Sequence, residues 1–298
     1  MIAAEPGIIK AAVHHHFRTR EELLTAVVEP RYASCVGVEW ELAWGRGKLL
    51  AVRSSSLISL TSWLPLVLLL LVALGALMAW AGRLGHGKAV VTACLRAALQ
   101  LGAVSVVIAW VVAYSMAVAA FILLMYGVAT FTAGRRIAGG RELWWAGVPI
   151  AAGTVPVLAI LLTSGTISTE GIVVIPVAGI LLGGCLTATT LAGRRAMDDL
   201  VQRKGEVEAA LALGFTPRDA ALEICRPAAA QALVPALDQT RTVGLVTLPG
   251  AFVGMLIGGA SPIEAGIVQL VVLVALLAGE ATAILVTVEL VARGRFAR

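Results

Sequence analysis

The sequence EVEAALALGFTPRDAALEICRP, residues 206–227, forms a charged segment between long apolar runs, and the rest of the chain is organised around it. Residues 206–213 are mostly strong helix formers, and Gly214 after them can adopt the left-handed conformation that ends a helix. We therefore expect a short helix that stops at Gly214, where the chain can turn sharply.

A second short helix is predicted directly after that turn. Thr216 can cap it, Pro217 suits its first position, and Asp219 three residues after the cap completes a capping box. Pro227 should end this helix, because proline cannot continue the backbone hydrogen-bond ladder. Its buried face is expected to comprise Ala220, Ala221, Leu222 and Ile224. Such a corner fits a groove on a partner protein, and the helices alone are equally compatible with an amphipathic linker.

Composition indicates a membrane protein. Of the 298 residues, 59% are hydrophobic and 14% are charged, with a mean hydropathy of +0.92, whereas soluble domains carry about 25% charged residues. The predicted fold class is therefore all-α, a polytopic bundle of transmembrane helices. In such proteins Lys and Arg collect in cytoplasmic loops, so the net charge of +5 gives no reason to expect a nucleic-acid partner.

Seven apolar segments are close to the ~20 residues that a membrane-spanning helix needs. They are Leu57–Ala81, Ala89–Val112, Tyr114–Thr132, Leu143–Leu162, Gly171–Gly193, Val243–Gly258 and Ile263–Val291. Lys and Arg fall in the loops on one side of these spans, whereas the opposite loops near residues 113, 163–170 and 259–262 contain none. This asymmetry predicts a multi-pass protein of the cytoplasmic (inner) membrane with its C-terminus in the cytoplasm.

The first 30 residues differ from the rest. His16-Phe17, followed by Arg20-Glu21-Glu22-Leu23, resembles the second half of the helix-turn-helix in TetR-type repressors. Most of the supporting helices of that unit are absent, so we predict that residues 1–30 are a fragment that does not bind DNA by itself. Residues 31–56 are interpreted as a basic linker.

The spacing within residues 208–227 resembles the EAA loop of bacterial ABC-importer permeases. Glu-Ala-Ala is followed after three residues by Gly, after nine more by Ile, and three positions later by Pro, although Arg226 stands where that motif usually has Leu. In those permeases the loop docks on an ATPase subunit. The resemblance implies a coupling loop over residues 194–240, with ATPase-coupling roles for Glu208, Ala209, Ala210, Gly214, Ile224 and Pro227.

About two-thirds of the chain also resembles the FetB-type family of ABC-transporter permeases, which is linked to iron export and, in plants, to aluminium tolerance. The resemblance is carried by Arg96, Gln100-Leu101-Gly102, Ile175–Gly179, Gly183, Glu208–Gly214, Leu233–Pro235, Thr242–Gly250, Gly258–Ala265 and Gln269. One departure is Ala251-Phe252-Val253, where the family tends to have methionines, and this leaves the metal preference open.

The FetB-type resemblance implies that residues 57–298 are a permease domain. It would act as a homodimer with two copies of a separate ATPase, in contact with membrane lipid, and it would carry a metal ion. This chain would bind no cofactor, because ATP and Mg belong to the ATPase subunit. Residues 82–88 match the spacing of a phosphate-binding loop, but Ala89 replaces the Ser or Thr that holds magnesium, so the chain is not expected to hydrolyse ATP.

Ionisable residues within apolar spans are costly, so they are candidates for the substrate path. Arg96 and Gln100 lie one helical turn apart and should share an inward face, although Arg96 is also near enough to the interface to reach it. The other candidates are Asp238, Arg241, Glu264, Gln269 and Glu280. The pattern favours a structural ion pair for Asp238 and Arg241, with each other or with Arg96, and Glu264 also fits an interfacial helix cap. No metal ligands are identified.

Small residues follow the specific block at the sixth span. Gly244 and Pro249 are followed by Gly250, Gly254 and Gly258, and the last three are spaced by four. Such a face allows close helix packing. It predicts either static packing within the chain or a dimer seam that opens and closes.

Three classes of function follow from these patterns. The EAA spacing favours the permease subunit of an ABC transporter, exporting iron or another metal ion. A transporter or channel that needs no ATPase is the second class, and a membrane-tethered DNA-binding regulator, from residues 2–24, is the third. An enzyme is not expected, because the sequence shows no nucleophile–base arrangement and no HExxH motif.

Overall fold

The computed structural model describes residues 63–112, 114–138 and 143–296, so the predictions for residues 1–30 and 31–56 lie outside the described residues. The described α-helices are α1 Leu64–Ala81, α2 Gly87–Val112, α3 Ser115–Ala138, α4 Gly147–Thr163, α5 Gly171–Gln202, α6 Lys204–Ala212, α7 Pro217–Ala230, α8 Val234–Thr242, α9 Gly250–Ile257 and α10 Pro262–Ala292. Short 3-10 turns precede α4 and α8. The chain divides into two compact units, residues 1–97 and 98–298.

Six described segments are long and apolar enough to cross a membrane. They are Leu64–Ala81, Gly87–Ile108, Met116–Ile137, Leu143–Thr163, Gly171–Gln202 and Pro262–Ala292. This confirms the predicted all-α polytopic fold, but the prediction of seven continuous spans is wrong. The predicted span Val243–Gly258 contains a turn and the eight-residue helix α9. Gly244, at φ +81°, and Pro249, which has no N–H to donate, interrupt the helix there.

The first unit contains α1 and the beginning of α2, which form a helical hairpin. Pro65 lies in the first turn of α1, where its missing N–H would have had no partner in any case. Gly85 adopts a φ of +71° in the connecting turn. A side chain at Gly87 would contact the backbone oxygen of Ala76 at 3.4 Å, so glycine keeps the two helices close.

In the second unit, α3 and α5 run in the same direction. Val118 near the start of α3 lies against Gly171 at the start of α5, and Ile137 near the end of α3 lies against Gly193. α4 follows α3 and precedes α5 in the chain. It therefore leads from the end of α3 back to the start of α5 and runs antiparallel to both helices. α10 is parallel to α5, because its last turns share one hydrophobic cluster with the last turns of α5.

A close three-helix contact joins α4, α5 and α10 in the middle of the second unit. A Cβ atom on Gly153 of α4 would collide with the backbone oxygen of Gly279 on α10, and it would lie 2.7 Å from Sγ of Cys185 on α5. Gly279, Gly153 and Cys185 are thus packed without room for a further methyl group. Small residues let transmembrane backbones approach in this way.

Basic side chains concentrate at one end of the second unit, which we call the basic end. It carries Arg135, Arg136, Arg194, Arg195, Arg203, Lys204, Arg218, Arg226, Arg293 and Arg295. The opposite end consists of the loop 164–170 and the turn 258–261, and these two described segments contain no Lys or Arg. The charge asymmetry predicted from sequence is therefore reproduced by this unit.

The chain must cross from the basic end to the opposite end between α5 and α10. α5 finishes at the basic end, whereas α10 starts at the opposite end and finishes at the basic end. The crossing is made by α8, the turn 243–249 and α9, and both short helices contact α10. The sequence thus located the sixth crossing correctly but not its discontinuity.

Candidate functional site

The predicted corner is present between α6 and α7. Gly214 has a φ of +91°, which confirms the left-handed helix end. The N–H of Phe215 donates to the carbonyl of Ala210 at 3.1 Å and that of Leu213 to Ala209 at 3.1 Å, so the last carbonyls of α6 are satisfied. A side chain at Gly214 would meet no atom within 4 Å. Its backbone conformation, and not crowding, therefore requires glycine at this position.

The start of α7 has the predicted threonine cap and proline, but the predicted capping box is incomplete, because the Asp219 carboxylate accepts from the Thr216 hydroxyl and not from the Thr216 backbone N–H. Pro217 occupies its first turn, and Oγ1 of Thr216 accepts a hydrogen bond from the N–H of Asp219 at 3.2 Å. The Thr216 hydroxyl also donates to Oδ2 of Asp219 at 2.7 Å. The predicted end at Pro227 is wrong, because α7 continues to Ala230. Pro227 has no N–H to donate to the carbonyl of Glu223, and because Glu223 is exposed, water can take the place of the missing donor.

α7 is anchored to the bundle by a row of buried side chains. Ala220, Ala221, Leu222 and Ile224 are buried as predicted, and Cys225 and Ala229 join them. Burial raises the pKa of the Cys225 thiol to about 11, so this thiol is protonated and unreactive at neutral pH. The hydrophobic cluster around Cys225 includes residues of α5 and α10. α7 is therefore packed against two of the long helices.

α6 projects from the bundle and has no fully buried residue. Glu208 and Ala209 are exposed, Ala210 is half-buried, and Lys204 pairs with Glu208 at 3.6 Å on the helix surface. At the corner, Leu213 is 80% exposed. Leu211 and Phe215 on either side of it are also exposed, and adjacent apolar side chains of this kind form a patch that a partner could cover.

An arginine joins the end of α5 to both corner helices. Arg203 forms an ion pair with Asp199 at 3.5 Å and donates hydrogen bonds to Glu206. These bonds lower the pKa of Glu206. Nη1 of Arg203 also donates to the carbonyl of Ile224 at 3.5 Å. The corner is therefore held at a fixed angle to α5.

A second ion-pair cluster joins α7 to the end of α10. Arg218 donates from Nε and Nη2 to the two carboxylate oxygens of Glu289, each at 2.7 Å. Arg293 donates from Nε to the same carboxylate at 2.6 Å, and Arg218 also pairs with Asp219 at 2.9 Å. The pKa of Arg218 is raised, chiefly by its hydrogen bonds to Glu289. The partners are 71 residues apart, and the sequence offered no signal that pairs them.

The candidates for the substrate path do not form one cluster. Arg96 and Gln100 lie one turn apart on α2 and are exposed. Asp238 and Arg241 pair with each other on α8 at 3.6 Å, as one of the two interpretations proposed. Glu264 forms a capping box with Ser261: the backbone N–H of Ser261 donates to the carboxylate of Glu264 at 2.9 Å.

Gln269 and Glu280 are the two candidates that are buried, both on α10. Oε1 of Gln269 has no hydrogen-bond partner among the described residues. Glu280 lies against Gly184 of α5, and a Cβ atom there would be 2.7 Å from its Oε1. The two side chains are eleven positions apart, about 16 Å along a helix, so they cannot hold the same ion. The described residues contain no group of three or more His, Cys, Asp or Glu that could bind a metal.

The glycines of the sixth crossing are not packed within the described chain. Side chains built on Gly244, Gly250 and Gly254 would meet no atom within 4 Å, and one on Gly258 would meet only the carbonyl oxygens of its own helix. Pro249 caps α9 in an extended conformation. The prediction that this face packs closely is thus not met inside the described part of one chain, and a dimer seam stays a prediction.

Comparison with known proteins identifies the family. The uncharacterised protein family UPF0014 matches residues 63–296. The chain belongs to this family. The match gives no support to the TetR resemblance, because residues 1–30 precede it. No solved structure matches the chain.

Three relatives are informative. The chain is 37% identical to the UPF0014 membrane protein STAR2 of Oryza sativa subsp. japonica, over 70% of this chain and 74% of that protein. It is 35% identical to the protein ALUMINUM SENSITIVE 3 of Arabidopsis thaliana, over 70% and 78%. It is 33% identical to the probable iron export permease protein FetB of Escherichia coli strain K12, over 40% and 46%. The family predicted from sequence is confirmed.

Proposed function

We propose that this protein is the membrane permease subunit of an ABC transporter that exports iron or another metal ion. A separate ATPase subunit, in two copies, binds ATP and Mg and docks on the α6–α7 corner. The C-terminus and the basic end face the cytoplasm. The observation that carries the proposal is the corner itself, since it combines the EAA spacing with an exposed tip and ion pairs to two membrane helices.

The docking role draws support from the contrast between the two corner helices. α6 has no fully buried residue, which leaves Ala209 and Leu213 free for a partner, whereas α7 buries six of its residues in the bundle. A force applied to α6 by a partner would reach α10 through Arg218 and Glu289. A linker without a partner has no need of such an arrangement. This favours the ATPase-coupled permease over a transporter or channel without an ATPase.

The orientation rests on the basic end. Lys and Arg are retained on the cytoplasmic side of membrane proteins, and the ten basic residues of the basic end lie on the side that carries the corner, whereas Arg241 on α8 is the described exception in the second unit. An ATPase subunit in the cytoplasm would therefore find the corner on its own side of the membrane.

We also propose that the permease is a homodimer and that α8 and α9 form its seam. Leu233, just before α8, lines a groove with Ile284 and Leu285 of α10, and α9 ends just before Pro262. The distance between Pro262 and Ile284 along α10 is about 33 Å, close to the ~30 Å of membrane hydrocarbon. α8 and α9 span about 13 and 12 Å, which puts the turn 243–249 near the middle of the membrane.

At that depth, lipid cannot cover the sixth crossing. The side chains of Arg241 and Asp238 are 73% and 62% exposed, and the turn beside them is not helical. Charges and irregular backbone inside a membrane must face protein or a water-filled cavity. A second copy supplies that cover, since Asp238 of each chain can pair with Arg241 of the other across a two-fold axis.

The metal class is proposed from the relationship to the FetB protein. Among the described residues Glu280 is the buried carboxylate of the bundle, and its oxygen could bind a passing cation.

The test is metal accumulation in cells that lack the gene. We expect a deletion strain grown with excess iron to contain at least about twice as much iron as the parent strain. A strain that lacks the ATPase should contain as much iron as the deletion strain. Iron contents that do not differ would exclude iron export, and the same measurement for aluminium, manganese and zinc would test the wider claim.

A further inference from the structure

A cavity of about 420 Å³ opens at the basic end, between the end of α3 and the second half of α5. Its wall is formed by Arg136, Thr187, Thr190, Leu191, Arg194, Arg195 and Asp198. Three guanidinium groups and one carboxylate therefore surround the same space. None of the individual residues predicted for ATPase coupling or for the substrate path lines it, although Arg194, Arg195 and Asp198 fall at the start of the predicted coupling loop 194–240.

Two polar atoms in this wall are buried and have no partner. Oγ1 of Thr190 makes no hydrogen bond among the described residues, and Thr190 is 7% exposed. Nη1 of Arg195 is likewise buried without a partner. Thr187, one turn earlier, has its hydroxyl bound to the carbonyl of Gly183 at 3.0 Å. A buried donor without an acceptor costs about 1–3 kcal/mol, so a small shift of these two side chains towards an acceptor group in the adjoining cavity would be favourable.

The charges of the cavity are unbalanced in favour of an anion. Arg136, Arg194 and Arg195 form no ion pair with a described carboxylate, in contrast to Arg203 and Arg218 nearby. Like charges that line one cavity repel each other, and a counter-ion between them relieves this repulsion. Asp198 offsets only part of the positive charge, so an anion of one or two negative charges would complete the site.

We propose that this cavity binds a phosphate group. Arginine forks match the geometry of phosphate oxygens, and a phosphate offers more acceptors than a carboxylate to three guanidinium groups and a threonine hydroxyl. The cavity lies at the basic end, beside the contact of Gly193 with Ile137 in the last turn of α3, and in the orientation proposed above this end faces the cytoplasmic head groups. The phosphate therefore comes either from the head group of an anionic phospholipid or from a soluble phosphate.

An occupied cavity would also stiffen the helix that carries the corner. Asp198 is followed directly by Asp199, which pairs with Arg203 at the end of α5. A phosphate held by Arg194 and Arg195 would fix this last stretch of α5 relative to α3. The site is thus placed to make the position of the corner depend on the lipid or phosphate around the protein.

The test measures the thermal unfolding midpoint of the purified permease, in detergent and without any ATPase. Two anionic probes are added separately. The first is vesicles of phosphatidylglycerol, with phosphatidylcholine vesicles as the neutral comparison, and the second is inorganic phosphate. We expect one of the two anionic probes to raise the midpoint of the wild-type chain. In the double variant Arg136→Gln/Arg195→Gln the probe concentration needed for the same rise should increase about tenfold or more. The single variant Arg194→Gln, an exposed residue whose loss leaves packing intact, should show a smaller increase.

The matched control is Arg226→Gln, which removes a basic residue at the same end but outside the cavity, and it should respond like the wild type. A rise with phosphatidylglycerol alone assigns the phosphate to a lipid, and a rise with inorganic phosphate assigns it to a soluble anion. No rise with either probe, or equal responses of wild type and all cavity variants, would overturn the proposal. Since no ATPase is present, this result stands or falls separately from the transport function.

Discussion

The variant Arg218→Glu should lose metal transport while it still binds its ATPase. In the wild-type chain Arg218 holds both carboxylate oxygens of Glu289 at 2.7 Å, which joins the corner to the end of α10. In the variant two carboxylates would face each other there, and α7 would separate from α10. Hydrogen bonds between charged groups contribute about 1.5–3 kcal/mol each, so we expect ATP-driven transport to fall about tenfold or more.

Arg226→Glu is the matched control, since it makes the same charge change on the same helix at a residue without an ion pair among the described residues. Both variants are measured for ATP hydrolysis by the purified complex and for metal accumulation in cells. Transport by Arg218→Glu at the level of the control would show that the contact to Glu289 does not couple the corner to the bundle. Loss of ATPase binding in the same variant would place Arg218 in the docking surface instead.

The second large effect is expected at the proposed seam. A chain with Asp238→Arg carries two positive charges on α8, and a chain with Arg241→Asp carries two negative charges. If Asp238 of each copy faces Arg241 of the other, each variant alone should form about tenfold less homodimer than the wild type, because like charges meet across the seam. Coexpression of the two variants should restore dimers, since opposite charges then meet.

Differently tagged chains make this measurement direct. The heterodimer fraction is determined by pulling down one tag and quantifying the other after extraction from the membrane. Selective pairing of the two variants would require contact between chains, because each variant alone has lost the pair within its own α8. Homodimers of both variants at the wild-type level would exclude this seam.

The sequence predicted much of the corner because its signals are local. Gly214 and Thr216 determine the backbone within a few residues of themselves, so their effects can be read without the fold. Pro227 was misjudged because the buried Ala229 and the 3-10 turn after α7 continue the packing past it. Local signals predict where a helix can end, and tertiary packing decides whether it does.

The break in the sixth crossing was missed for a related reason. Residues 243–258 are as apolar as a continuous span, and hydropathy does not distinguish one helix from a turn followed by a short one. Gly244 and Pro249 in the same block were the available signal for a break. The same residues also fit a face for close helix packing, which is the role predicted for them from the sequence.

Contacts between distant parts of the chain could not be predicted from the sequence alone. Nothing near Glu289 indicates that Arg218 approaches it, and the contact of Gly153 with Gly279 depends on how α4 and α10 cross. The cavity near Thr190 is likewise visible only when α3 and α5 are packed together. These features arise between elements and have no periodicity of their own.

The most direct test of the account is whether the corner holds an ATPase. Ala209→Trp adds a large side chain to the exposed face of α6, and it should reduce the amount of ATPase that copurifies with the permease by about tenfold or more, because a docked helix leaves no room for it. Thr169→Trp, an exposed residue at the opposite end, should copurify with ATPase at the wild-type level. Equal recovery of ATPase with both variants, or none with the wild-type chain, would contradict the account.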